Sequence, residues 1–382
     1  MEIKLQSKEL SSRLKMAAKV INSKNALPIL GDFLVETKGD VILITASDSE
    51  QWLSLKCPVI SCNGETRFCV PSADFLKAVD NLNDVVVTLT LDESTHTITC
   101  DYGNGKFSMP YENADEFPQA NMPLIDPLTQ KDNSTNVIVD GKKILKAIEL
   151  TGFATANDEL RPVMNGIHFD FFDDGMVCAT SDGHKLARYK DKTITKENDG
   201  SIPNFTLPKK PSNILMTILS TIEGDVKLSF DDKVISINNK EFKLSARLLD
   251  FKYPNYDAVI PKSSPIIVTV DKNSLLNALK RVITMANNSS YLVEFDFNKG
   301  NVVVSAKDID FSRSASETVT CDCDTELKIG FKGSTLVEIL RNINDDNVVI
   351  ELDNPSRAGV FFSAFDYTRD EYLSLCMPML IQ

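Results

Sequence analysis

The chain has 382 residues, too many for one ordinary core and enough for two or three domains. At 42% apolar and 25% charged it has a globular composition, and its apolar runs, such as Val85–Val87 and Val302–Val304, are strand-sized, far short of the ~20 residues that cross a bilayer. A net charge of −13 argues against nucleic-acid binding by the surface as a whole, and the start Met1-Glu2-Ile3-Lys4-Leu5 has no signal-like apolar core, which points to a cytoplasmic protein.

In chain order, an alternating strand Ile3-Lys4-Leu5-Gln6 leads into a helix over Ser7–Asn22. At ~100° per residue, Leu10, Leu14, Ala17 and Ile21 share one face of that helix, and Lys8, Lys15 and Lys19 fall on the opposite one. Strand-period residues Asp40–Ser47 follow, then a second strand, Phe68-Cys69-Val70-Pro71, a helix over Ser72–Leu82, and a hairpin of Val85–Leu91 with Thr95–Cys100. Gly103-Asn104-Gly105-Lys106 lacks the leading glycine and the Ser/Thr of a phosphate loop and runs into strand-like Phe107-Ser108-Met109, so it reads as a hairpin turn.

The pattern lapses over Glu112–Asn136 and then begins again. Val137-Ile138-Val139-Asp140 enters a helix over Gly141–Phe153, in which Ile144, Leu145 and Ile148 oppose Lys142 and Lys146. The second copy continues with Gly175–Ser181, the strand Phe205-Thr206-Leu207-Pro208, a helix over Lys209–Ile222, and a hairpin of Val226–Phe230 with Val234–Asn238. After a second lapse at Tyr253–Pro265, Val268-Thr269-Val270-Asp271 opens a third copy with a helix over Lys272–Ala286. It runs through Asn301–Ala306, Lys328-Ile329-Gly330-Phe331, a helix over Gly333–Ile343, and a hairpin of Val348–Leu352 with Gly359–Ala364. The second and third copies align at an offset of 131 residues, the first and second at 134. The expectation is an α+β protein of three similar domains, 1–130, 131–261 and 262–382, each built from two strand–helix–strands units.

Charge is segregated. The six helices and their flanks carry fifteen basic and eight acidic side chains, a balance of +7, which leaves −20 on the rest of a chain whose total is −13. Lysine on one exposed helix face is ordinary solubilisation. Basic helices in all three copies, with the acids moved to strands and loops, suit a protein that accepts a phosphate backbone in one place and repels it elsewhere, without base readout.

Chemistry-bearing motifs are scarce. His96, His168 and His184 have no metal-ligand spacing, and Cys321-Asp322-Cys323 lacks the second pair of a zinc site. The remaining cysteines, Cys57, Cys62, Cys69, Cys100, Cys178 and Cys376, mostly alternate with apolar residues and read as buried thiols. Two clusters stand out. Thr180-Ser181-Asp182-Gly183-His184-Lys185-Leu186 reads as a structured turn, since no nucleophile or second acid accompanies it locally. The apolar, proline-stiffened end Leu375-Cys376-Met377-Pro378-Met379-Leu380-Ile381-Gln382 should dock in a groove or form one, because termini are normally polar and frayed.

Over its full length the chain resembles the bacterial beta sliding clamps, the beta subunits of DNA polymerase III. The specific marks are Leu27-Pro28-Ile29-Leu30, Asn165-Gly166, Ser181 to Leu186, Phe251-Lys252-Tyr253-Pro254-Asn255-Tyr256 and Met377-Pro378-Met379. The resemblance implies a DNA-clamp fold in which each chain is half of a closed ring, helices line the hole, and a head-to-tail homodimer encircles duplex DNA. It implies a processivity factor that is no enzyme and needs no cofactor or metal. The DNA-facing side chains would be Lys8, Lys15, Lys19, Lys24, Lys77, Lys142, Lys143, Lys146, Lys209, Lys210, Lys280, Arg281 and Arg341, with Lys24 where relatives carry a DNA-contacting basic residue. Short peptides of the polymerase, the clamp loader and repair proteins would enter a cleft between the second and third domains. Its residues would be Arg161, Met164, Ser181, Gly183, His184, Leu186, Pro254, Val259, Met377, Pro378 and Met379. Three departures bear on this: Pro162-Val163 replaces an aromatic pair, Ala258 replaces a basic residue, and the tail ends Leu380-Ile381-Gln382. Two rival readings remain, an enzyme centred on Asp182 and His184, and an adaptor that never meets DNA.

Overall fold

The computed structural model describes residues 1–22, 24–25, 27–119, 134–194 and 202–381. Six α-helices occur among them: α1 Ser7–Ala18, α2 Ser72–Asp80, α3 Gly141–Thr151, α4 Lys209–Leu219, α5 Lys272–Val282 and α6 Gly333–Asn342. Each follows a strand directly, where a period of two gives way to one of 3.6. The starts of α1, α3 and α5 lie 134 and 131 residues apart, the offsets of the sequence repeats. Asp271 caps α5 by accepting from the Ser274 amide, and Asp140 accepts from Lys142 at the start of α3.

All six helices end earlier than their apolar period suggested. The α1 pattern runs to Asn22, but the helix stops at Ala18, because the amides of Lys19, Val20 and Ile21 bond three residues back instead of four. Likewise α3 and α5 finish in the 3-10 turns Gly152–Ala154 and Ile283–Met285. Val20 and Ala154 are still buried, so the apolar pattern was reporting burial beyond the helix and not helix.

The described chain forms two compact units, Met1–Leu145 with Lys210–Leu248, and Lys146–Lys209 with Leu249–Gln382. In the first, a five-stranded sheet runs in the order Ser61–Cys62, Glu2–Gln6, Val86–Asp92, Thr97–Asp101, Lys106–Pro110. A nine-stranded sheet runs Glu112–Asn113, Arg67–Pro71, Asp32–Lys38, Val41–Ser47, Gln51–Pro58, Phe242–Arg247, Val234–Asn238, Asp225–Phe230, Thr135–Asp140. Helix α1 packs on α2 and on the strands 41–47 and 51–58. Its Leu10, Leu14 and Ala17 are buried as the period required, while Ile21, beyond the helix, is half-buried. Removing Leu14 to Ala would cost about 2–5 kcal/mol.

The second unit holds one thirteen-stranded sheet. Its order is Phe205–Pro208, Gly166–Phe172, Gly175–Ser181, Lys185–Asp191, Tyr372–Cys376, Gly359–Ser363, Asn347–Leu352, Ile266–Asp271, Arg313–Asp322, Asn301–Asp308, Leu292–Asn298, Leu327–Lys332, Pro378–Met379. Helix α5 packs on strand 313–322 and on α6. Phe331 anchors this core, edge-on to Phe295 at 5.8 Å and to Phe361 at 6.0 Å.

Each unit therefore contains a strand pair that joins two copies of the repeat. Strand 51–58 of the first copy pairs with 242–247 of the second, and 185–191 of the second with 372–376 of the third. The hairpin expected to close each copy is in fact a three-stranded meander, ending in 106–110, 242–247 and 372–376. The Gly103-Asn104-Gly105 segment is the turn of the first meander, with the Tyr102 amide bonded to the Gly105 carbonyl. All eight cysteines are free and only Cys62 escapes full burial. Burial pushes the thiols of Cys57, Cys69, Cys100 and Cys376 up to about 12, which leaves them inert.

Candidate functional site

Charge segregation survives the shorter helices, which hold thirteen basic and five acidic side chains. In the first unit Lys8, Lys15, Lys77 and Lys142 are exposed on helices and Lys19 and Lys24 just beyond α1, whereas Lys143 and Lys210 are half-buried. In the second, Lys146, Lys209, Lys280, Arg281 and Arg341 are exposed. Several of these cations are committed. Lys15 pairs with Asp80 at 2.5 Å, Lys142 with Glu223 at 2.9 Å, and Arg281 forks onto both oxygens of Glu317. Lys210 Nζ clamps the end of α1, donating to the Val20 carbonyl and to Asn22 and Asp48 at 2.6–2.7 Å, which makes it a structural residue. Lys146 lies over the Tyr367 ring at 4.8 Å. Lys8, Lys19, Lys24, Lys77, Lys209, Lys280 and Arg341 have no ion pair among the described residues.

The segment read as a turn is one. Asp182 Oδ1 accepts from the amides of His184 and Lys185, both at 2.8 Å, and Ser181 Oγ accepts from Gly183 and donates to the Lys185 carbonyl. Gly183 has φ +89°, and a Cβ there would stand 2.9 Å from Arg161 Nη1. Only glycine lets the guanidinium lie across the turn, where Arg161 binds Asp158 at 2.8 Å and reaches the Asp182 carbonyl. The Asp182 carboxylate is thus engaged by backbone donors, and among the described residues no hydrogen bond joins it to the ring of the exposed His184.

Beside this turn lies an apolar cluster from five stretches of the second unit. Met164 and Leu186 belong to it, with Val163, Tyr253, Val360 and Leu375 among their neighbours, and Ile260 and Phe362 at its margin. Met164 and Leu186 are only 5% and 1% exposed, so they form a floor. Arg161, Gly183, His184, Pro254, Val259 and Met377 are exposed around it, and Ser181, Pro378 and Met379 are half-buried.

The tail docks. Met377 donates its amide to the His184 carbonyl at 2.8 Å, and Pro378 and Met379 pair with Phe331 and Gly330 as the last strand of the sheet. A Cβ on Gly330 would lie 2.7 Å from the Met379 carbonyl, so glycine there admits the tail. Strand 359–363 and its Val360 and Phe362 were absent from the expected site. Their period-2 alternation marked them as sheet core, and nothing local distinguished them from any other buried strand.

The chain matches three family models in order: DNA polymerase III beta subunit, N-terminal domain, over residues 1–123; central domain, over 138–255; and C-terminal domain, over 257–379. It is 26% identical to the beta sliding clamp of Synechococcus elongatus over 402 aligned positions covering all of both chains. It is 23% identical to that of Pseudomonas putida, covering 99% of this chain and all of the relative. Among solved structures, the DNA polymerase III beta subunit of Thermotoga maritima superposes with a TM-score of 0.88 at 24% identity, both chains fully covered. A sliding clamp of Bartonella birtlesii, bound to griselimycin, gives 0.90 at 22% identity, also over full lengths.

Proposed function

The chain belongs to the DNA polymerase III beta subunit family, sliding clamps that are processivity factors and not enzymes, and from that premise we propose that two copies close head to tail into a ring around duplex DNA. The three domains, 1–130, 131–261 and 262–382, then repeat to six around the ring. Lys-bearing helix faces contact phosphates without sequence preference, and the cleft holds short peptides of the polymerase, clamp loader and repair proteins.

The observation that carries the ring is a pair of unmatched edges. Strand 106–110 ends the five-stranded sheet of the first unit. In the second unit, strand 313–322 pairs along one side with 301–308, but on the other, among the described residues, only its end at Cys321 and Asp322 finds a partner. In repeat register these two strands correspond to the partners that do pair elsewhere. Leu53 opposite Leu244 and Ala187 opposite Ser374 are the two satisfied cases, and all four residues are 0% exposed. The third case would be Phe107 opposite Ala315, and both are partly exposed. A second copy can close both edges at once, which a single chain's unpaired amides and carbonyls favour.

Placement of the lysines supports DNA contact. Lys209 is exposed in the first turn of α4, which holds no acid. A cation at a helix N-terminus opposes the macrodipole by about 0.3–1 kcal/mol, so helix stability alone would select against this arrangement. The experiment is loading onto nicked circular duplex with a purified ATP-driven loader. The protein should co-elute with the circle and be released when the circle is cut; retention that survives linearisation would contradict topological linkage.

A further inference from the structure

We propose that the face of the nine-stranded sheet turned away from its core carries a second groove, which takes a short acidic peptide anchored by one aromatic or aliphatic side chain. The inference rests partly on the peptide-cleft reading, since it begins from the repeat.

At the offset of 134, Leu27-Pro28-Ile29-Leu30 corresponds to Arg161-Pro162-Val163-Met164 and Trp52 to Leu186. The structure gives both segments the same form, a 3-10 turn opened by proline, Pro28–Gly31 and Pro162–Met164. Trp52 lies opposite Ser245 across the strand pair that joins the first two copies, as Leu186 lies opposite Leu375 across the pair that joins the last two. Ile29, Leu30 and Trp52 cluster with Phe117, followed by Pro118. Val163, Met164 and Leu186 cluster with Tyr253, followed by Pro254. Each seam therefore has an apolar floor of the same construction.

At the first seam a pocket of about 270 Å³ is floored by Leu34, Trp52, Phe117 and Pro118, with Arg67 and Lys243 at its rim. The seam is also basic. A second depression shares Glu36, Ser54 and Lys243 with the first and extends it past Lys38 and Lys56. Arg67 is held by Glu36 at 2.9 Å and by Asp115 at 3.8 Å. Lys38, Lys56 and Lys243 are exposed and have no ion pair among the described residues, against Glu65 beyond Lys38. A chain with net charge −13 repels acidic partners over most of its surface, so a basic strip ending in an apolar hole selects an acidic segment with an apolar anchor.

Trp52 is the one tryptophan of the chain and stands in the floor, so its emission reports occupancy directly. The full-length protein is titrated at low salt with acetyl-Leu-Phe-Asp-Glu-Glu-amide, and with a control in which lysines replace the acids. The acidic peptide should shift Trp52 emission saturably and the basic one should not. Lys243→Glu combined with Lys56→Glu should weaken binding about tenfold or more, and Lys243→Gln should weaken it less. Both sites are exposed on strands, and circular dichroism checks that the variants fold. Deleting Met377–Gln382 should leave the Trp52 titration unchanged. Absence of a saturable shift, equal response to the basic peptide, or loss on tail deletion would overturn the groove. A labelled polymerase peptide, followed separately by anisotropy, reads the cleft: if its binding survives the tail deletion, the cleft assignment fails while the Trp52 result stands.

Discussion

Phe107→Ala tests the proposed ring most sharply. In the single chain Phe107 is partly exposed at the free edge of the five-stranded sheet, whereas its repeat counterparts Leu244 and Ser374 are fully covered by a neighbouring strand. Closing the edge would bury the remaining third or less of the residue, contributing about 0.5–1.5 kcal/mol per copy. A head-to-tail dimer contains that packing twice, so the variant should lose about 1–3 kcal/mol per dimer, raising the dissociation constant about 5- to 150-fold. Sedimentation equilibrium across a concentration series measures it, with circular dichroism confirming that the monomer still folds. Ala315→Glu, on the opposite edge, should act in the same direction. A dimer equally tight in both folded variants would show that these strands do not meet, and the proposed closure would be wrong.

Deleting Met377–Gln382 removes the amide bond to His184 and the pairing with Gly330 and Phe331, and should sharply weaken polymerase-peptide binding while dimer size is unchanged; a monomeric product would contradict the cleft assignment. Replacing Lys19, Lys77, Lys209 and Lys280 together by Glu should shorten retention on nicked circles and flatten its salt dependence by ~0.9 in log–log slope for each phosphate no longer neutralised, and an unaltered slope would exclude these helix faces from DNA binding. A pH effect follows from Asp345. Its limited burial pushes the carboxyl upward, but donors from Ser363 Oγ and the amides of Phe365, Asn347 and Asp346 outweigh that and hold it at about 2, below its ordinary 3.8. A depressed carboxyl stabilises the fold above the unfolded value and loses that effect as pH falls through the folded one. Asp345→Ala should therefore lower the melting temperature at neutral pH and differ progressively less from the parent between about pH 4 and 2, a convergence that thermal scans would read.

The local sequence was enough for the elements and their repetition. The strand-length runs Gly175–Ser181 and Phe205–Pro208 matched the strands to the residue, though both are buried on both faces, and the apolar stripe of Leu10, Leu14 and Ala17 set the buried face of α1, because each depends on the residues within one segment. Asp182-Gly183-His184 was legible as a turn for the same reason: its hydrogen bonds close within four residues. Helix ends were not legible. Apolar residues continue to be buried after the backbone has tightened into 3-10 turns, and burial pattern does not encode hydrogen-bond register. Nor did charge counting separate Lys210, spent on the end of α1, from Lys209 one residue earlier, since the Asp48 that holds Lys210 lies 162 residues away. The seams depended wholly on tertiary structure. That Leu53 meets Leu244, that Ala187 meets Ser374, and that Val360 and Phe362 join Met164 are pairings between distant strands whose exposed amides and carbonyls are identical in every segment. Only the packed arrangement of the copies decides which edge meets which, and which edges stay unpaired among the described residues.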